Sequence, residues 1–201
     1  ILDHLNQRIN DISAISEDKA TKSLDWTIKM WDRVPQKDIF QGNYSTCCIA
    51  MGGSNGSAMP HYIMDTAYNM IELVDNNSGR TIGNALCYFV KGENGKLAFI
   101  IDNVEIANSV KPSDDVGESL RAMLTDYASK IAEDVTGSKD IPVYLGPDYN
   151  DIPYEDLPKH VEEVTFLGDI DCDEIYMDAF GASADWTDKA DFTQKVKLLK
   201  L

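Results

Sequence analysis

The stretch that decides the fold is 70–145. It reads MIELVD (70–75), NNSG (76–79), RTIGNALCYFVK (80–91), GENG (92–95) and KLAFIIDNVE (96–105). A polar approach then leads to SDDVGESLRAMLTDYASKIAEDV (113–135) and IPVYL (141–145). The first, third and fifth of these pieces are short apolar runs, and Asn/Gly turn chemistry separates them, so they predict a three-stranded meander. In 113–135 the period changes. Leu120, Met123, Leu124, Tyr127, Ile131 and Ala132 share one helical face, Ser113-Asp114-Asp115 supply a cap and acidic first turn, and Gly137 is the stop. The run 141–145 is apolar and bounded by Gly146-Pro147, which predicts a fourth strand.

Outward from this centre the signals weaken. Leu2, Leu5, Ile9, Ile12 and Ile15, then Leu24, Ile28 and Trp31, recur at helical spacing and predict N-terminal helices over 1–34, with Pro35 as the interruption. A buried strand is expected at 45–51 (STCCIAM), followed by the Gly-rich loop 52–57, and a short helix at 60–69 with Pro60 in its first turn. Beyond 147–158 two further strands are expected, at 161–167 and 174–180. The expected organisation is one α/β domain over 1–181, with 182–201 a surface helix or tail, or a piece of a larger protein.

Composition narrows the function classes. The 201 residues are 43% hydrophobic, enough for one substantial core. No apolar run approaches the ~18 residues that span a bilayer. Residue 1 is Ile, which points to a trimmed or processed chain. The formal net charge is −16, from 34 acidic and 18 basic residues, and there is no basic stripe to offset it. Such a field repels phosphate backbones and anionic lipid, so neither nucleic acid nor membrane is an expected partner. The four cysteines, Cys47, Cys48, Cys87 and Cys172, read as reduced thiols in a cytoplasmic protein.

Two helices, a strand, a strand meander, a helix, a strand, a short helix and a closing pair of strands: this order, over about residues 24–180, resembles the GNAT-type N-acyltransferase superfamily. The resemblance implies a central, mostly antiparallel mixed sheet flanked by helices, in which the strand 96–105 splays from its neighbour. It also implies an acyl-CoA-dependent N-acyltransferase, with acetyl-CoA or another acyl-CoA as cofactor and a small-molecule amine or basic protein as acceptor, or a degenerate relative that has lost the cofactor. In that family a loop at a helix N-terminus wraps the cofactor pyrophosphate, since free amides and the positive helix end favour anionic oxygen. Its preferred pattern is Arg or Gln, two spacers, Gly, one spacer, then Gly or Ala. This chain has Asp114, Gly117 and Ser119 at those places, so only the middle glycine matches. The cofactor-binding residues implied are Val116, Gly117, Glu118 and Ser119. The implied base is Glu105 and the implied acid Tyr154, with Tyr144 and Tyr149 as alternatives. A capped helix start and a solvated strand end are the plain structural readings of the same residues.

A second constellation sits before the meander. His61 and Asp65 are four apart, so on a helix they share a face, and Cys47-Cys48 precede them. A thiol, an imidazole and an orienting carboxylate are the parts of a cysteine-dependent hydrolase or transferase, here Cys48, His61 and Asp65. The same side chains at lower order of preference could hold zinc, although no CxxC pair supports a metal site. Asp169, Asp171 and Asp173 alternate like the start of an EF-hand loop, but Glu174 stands where that loop needs glycine. A third reading is a non-catalytic module whose acidic surface meets a basic protein.

Overall fold

Two glycines close the central hairpins. Gly79 (φ +65°) and Gly95 (φ +77°) take left-handed backbone that residues with a Cβ rarely adopt. The strands they organise belong to a computed structural model that describes residues 25–45, 47–64, 68–92, 95–110, 114–146, 161–167 and 193–201. The strands are β1 (Trp26–Met30), β2 (Tyr68–Asp75), β3 (Arg80–Gly92), β4 (Leu97–Ile106), β5 (Val143–Leu145), β6 (Val161–Leu167) and β7 (Thr193–Lys200). The helices are α1 (Pro35–Asp38), α2 (Met59–Met64) and α3 (Asp114–Thr136), with short 3₁₀ turns at Gln41–Asn43, Gly56–Ala58 and Asn108–Val110.

One seven-stranded sheet runs β1-β2-β3-β4-β5-β7-β6. Every described pair is antiparallel except β4 with β5, which α3 connects as a crossover. This is the mixed sheet flanked by helices that the resemblance implied. The end of β3 also pairs with β6, Lys91 against Leu167 and Gly92 against Phe166.

The sheet buries both faces. On one, Leu120, Leu124, Tyr127, Ala128, Ile131 and Ala132 of α3 pack on Ile28, Ile71, Leu73, Phe99, Ile101, Val104 and Ile106. Each such side chain withdrawn from water contributes about 1.5–3 kcal/mol, which explains why the 3.6-residue period was so legible. The helix ends as expected: Gly137 is left-handed (φ +75°) and its N–H donates to the Glu133 carbonyl. On the other face lie Trp31, Ile49, Tyr62, Met70, Leu86, Tyr88, Ile100 and Tyr144. Residues 31–64, here the cover segment, supply three of these.

Several expectations change. Trp26–Met30 is a strand, not the end of a helix. Ile28 and Met30 alternate into the core, and pairing with β2 outweighs the helical spacing that Leu24, Ile28 and Trp31 also satisfy. Within 45–51 the described residues form turns, not a strand. Only Ile49 of that run is buried among them, and Gly53 lies so close to the Cys48 carbonyl that a Cβ there would sit 2.3 Å from it. Tyr68 and Asn69 open β2 and do not continue α2. The expected C-terminal helix or tail is strand β7, seated between β5 and β6. Residues 1–24, 147–160 and 168–192 lie outside the described set, and with them the helices over the first 24 residues, the strand at 174–180 and the acidic run at 169–174.

Candidate functional site

The site is built on a row of polar residues that crosses four strands. Lys29 of β1 pairs with Glu72 of β2, Glu72 with Asn84 of β3, and Asn84 with Glu105 of β4. On β2, Ile71 and Leu73 point into the α3-side core; on β4, Val104 and Ile106 do. Strand alternation therefore places Glu72 and Glu105 on the opposite face, under the cover segment.

Glu105 is on that face because of a bulge. Ala85 pairs with Val104 and Cys87 with Ile101, so two steps along β3 face three along β4. The extra residue reverses the alternation of everything after it. Without it Glu105 would face α3. Asp102 and Asn103, in the irregular stretch, are both buried, and Tyr88 Oη donates to Asp102 Oδ1 at 3.1 Å.

The cover segment meets the polar row at four-residue intervals. Lys37 Nζ reaches Glu72 Oε2 at 2.6 Å, while Lys29 Nζ lies 3.4 Å from the same oxygen and Thr81 Oγ1 donates to Oε1. Glu72 is 2% exposed, so these partners offset a desolvation that would otherwise be costly. Asn84 Nδ2 donates to the Gln41 carbonyl at 2.9 Å. Ser45 Oγ donates to Glu105 Oε2 at 3.1 Å, and Asn103 Nδ2 to Oε1 at 3.4 Å. The Cys47 thiol also hydrogen-bonds to Glu105; burial first, and then the Glu105 charge, push this thiol well above the ordinary range. Gln41 is buried, and its Nε2 is one of two buried side-chain polar atoms without a partner among the described residues. Nearby, Trp31 Nε1 donates to Asp38 Oδ1 at 2.8 Å, and Arg33 Nη2 donates to the Ile63 carbonyl at 2.6 Å, which ties the segment just before α1 to the end of α2.

Glu105 lies past the stretch of β4 that pairs with β5 among the described residues. β5 pairs with β4 only at Phe99–Ile101, and Gly146 N–H donates to the Ile101 carbonyl at 2.9 Å. Among the described residues, which stop at Gly146 on that side, β4 from Asp102 to Ile106 has no β5 partner. The half-buried Glu105 lies in that outer part, and Tyr144 lies on the same face in β5, 6% exposed.

The other sequence candidates are placed as follows. Val116, Gly117, Glu118 and Ser119 all lie inside α3; Gly117 is buried and Glu118 and Ser119 are exposed. Helix α3 begins at Asp114, so of these four only the Val116 amide precedes the i→i−4 ladder, while those of Gly117, Glu118 and Ser119 fall within it. Glu118 also lines a cleft of about 550 Å3 with Arg121, Thr125, Asp126, Lys200 and Leu201, on the α3 side and away from Glu105. Cys48 is exposed and its sulfur accepts from Asn55 Nδ2 at 3.4 Å. His61 belongs to α2, while Asp65, Tyr149 and Tyr154 lie outside the described residues. Among the described residues there is no group of three or more potential metal ligands. No described helix is long and apolar enough to cross a membrane. Sequence reading missed the polar row and its cover, because strand register and a bulge bring those residues together, and neither leaves a local signal.

No family model and no curated protein matches this chain. Solved structures do. The crystal structure of AtaTR bound with AcCoA is similar over 61% of this chain and 74% of that one, at 15% identity and a TM-score of 0.42. A Trypanosoma brucei acetyltransferase is similar over 68% of this chain and 89% of that one, at 14% identity and a TM-score of 0.35.

Proposed function

We propose that this protein is an acyl-CoA-dependent N-acyltransferase acting on a small-molecule amine or a basic protein. The observation that carries the reading is the position of Glu105: a half-buried carboxylate placed by a bulge past the stretch of β4 that pairs with β5 among the described residues. A base for an amine belongs at such a half-buried position, partly screened from water.

The chain's own groups fit an acyl-CoA in part. Of the four implied residues only Val116 has its amide ahead of the helical ladder of α3, and that helix start is where a phosphate would rest. Glu118 opposes it with charge. Bound acyl-CoA supplies a thioester carbonyl, activated because its thiolate is a good leaving group. Glu105 accepts the proton of the attacking amine. Tyr154 is the proposed donor to the departing sulfur, with Tyr144 and Tyr149 the other tyrosines suited to that role. The net acidity suits a cationic acceptor, which the field attracts before binding.

Acetyl-CoA at millimolar concentration should raise the melting temperature by about 5 °C or more if its dissociation constant is tens of micromolar. Glu105→Gln should keep that shift while losing about 100-fold or more in acetyl transfer to a panel of small amines and a lysine-rich peptide. A folded protein with no acetyl-CoA shift rules the reading out. Salt-sensitive binding of a basic protein would then favour the non-catalytic module.

A further inference from the structure

Glu105 is held from above as well as from its own strand. Ser45 and Cys47 belong to the cover segment, and both donate to the carboxylate: the hydroxyl to Oε2 at 3.1 Å, the thiol to the same group. Asn103, on β4 itself, donates to Oε1. Ser45 is half-buried and polar, and Cys47 is a small side chain at the margin of the core on that face. Their common feature is a hydrogen for Glu105. The cover also reaches the row at Lys37 and Gln41, eight and four residues before Ser45.

We propose that Ser45 and Cys47 are positioning residues that fix the Glu105 side chain and favour its ionised form, so that the base is ready only when the cover segment is seated. The inference rests on the reading of Glu105 as the base. A donor to a carboxylate stabilises the charged state relative to the protonated one, so losing a donor makes protonation easier. Among the described residues, the titratable groups on this face near Glu105 include Tyr44, Cys47 and neighbouring Cys48 on the cover, the Tyr88–Asp102 pair at the bulge, and Tyr144 of β5. One strand further lies Glu72 with Lys29 and Lys37. All except Cys47 are the same in the substituted proteins described next.

The test follows the Glu105 side-chain carboxyl by carbon-13 NMR during a pH titration of the full chain, assigned by its loss in Glu105→Gln. In Ser45→Ala and in Cys47→Ala the midpoint should move upward by about half a pH unit to one unit. Cys47→Ser, which keeps a donor, should titrate like the unsubstituted protein. Unchanged midpoints in both alanine variants, or the same upward move in Cys47→Ser, overturn the proposal. A second measurement needs no alanine variant: iodoacetamide should label Cys47 several-fold faster in Glu105→Gln, where the thiol loses its charged acceptor, and an unchanged rate overturns the proposal as well. Neither readout depends on acyl transfer. Failure of the acetyl-CoA shift with these results intact would sink the acyltransferase reading alone.

Discussion

The thiols show how one residue type takes different roles by placement. Cys87 is fully buried in β3 and burial alone pushes its thiol far up; Cys47 is raised by burial and then by Glu105; Cys48 is exposed. Since the thiolate is the reactive form, iodoacetamide near neutral pH should modify Cys48 about tenfold or more faster than Cys47 and Cys87, read per site by mass spectrometry. Cys87 labelling at the Cys48 rate would contradict the packing of β3. Very rapid labelling of Cys48, abolished in Cys48→Ser, is the signature expected of the cysteine-dependent hydrolase or transferase proposed from Cys48, His61 and Asp65. Residue identity made these thiols candidates. It could not rank them, because adjacent Cys47 and Cys48 differ only in what the rest of the chain places beside them.

Elements differ in how much of themselves they carry in their own sequence. α3 was legible nearly to its ends, because twenty-three residues repeat one apolar face and Gly137 stops them. β2, β3 and β4 were legible because turn residues bracket them. β1 and β7 were misread as helix, and for one physical reason: each is a strand through its partner. Trp26–Met30 satisfies both periods, and Thr193–Lys200 (TQKVKLLK) is polar enough for a surface helix until β5 and β6 accept its backbone bonds. This gives a test. Leu198 pairs with Glu162 of β6, and Leu198→Pro would remove a ladder donor inside a strand with neighbours on both sides. Amide hydrogen exchange should then accelerate across 143–145 and 161–167 as well as 193–200. Acceleration confined to 193–200 would mean that β7 does not hold the sheet together.

At the scale of the whole molecule, charge and core pull in opposite directions. A net charge of −16 repels itself in the folded state, so added salt should stabilise this protein. Between about 50 mM and 500 mM sodium chloride the melting temperature is expected to rise by about 2–6 °C, measured by calorimetry. A fall would show that ion pairs such as Lys37–Glu72 outweigh the repulsion. By itself the sequence determined the meander, the amphipathic crossover, the fourth strand and an acidic field that repels nucleic acid and anionic lipid, because periodicity, turn chemistry and charge are local or additive. Only the tertiary structure decided that Glu105 faces the cover segment, that Ser45 and Cys47 sit on it, and that β7 is a strand joining β5 to β6. Those outcomes depend on register, and a single extra residue at the β4 bulge changes which face every later side chain occupies.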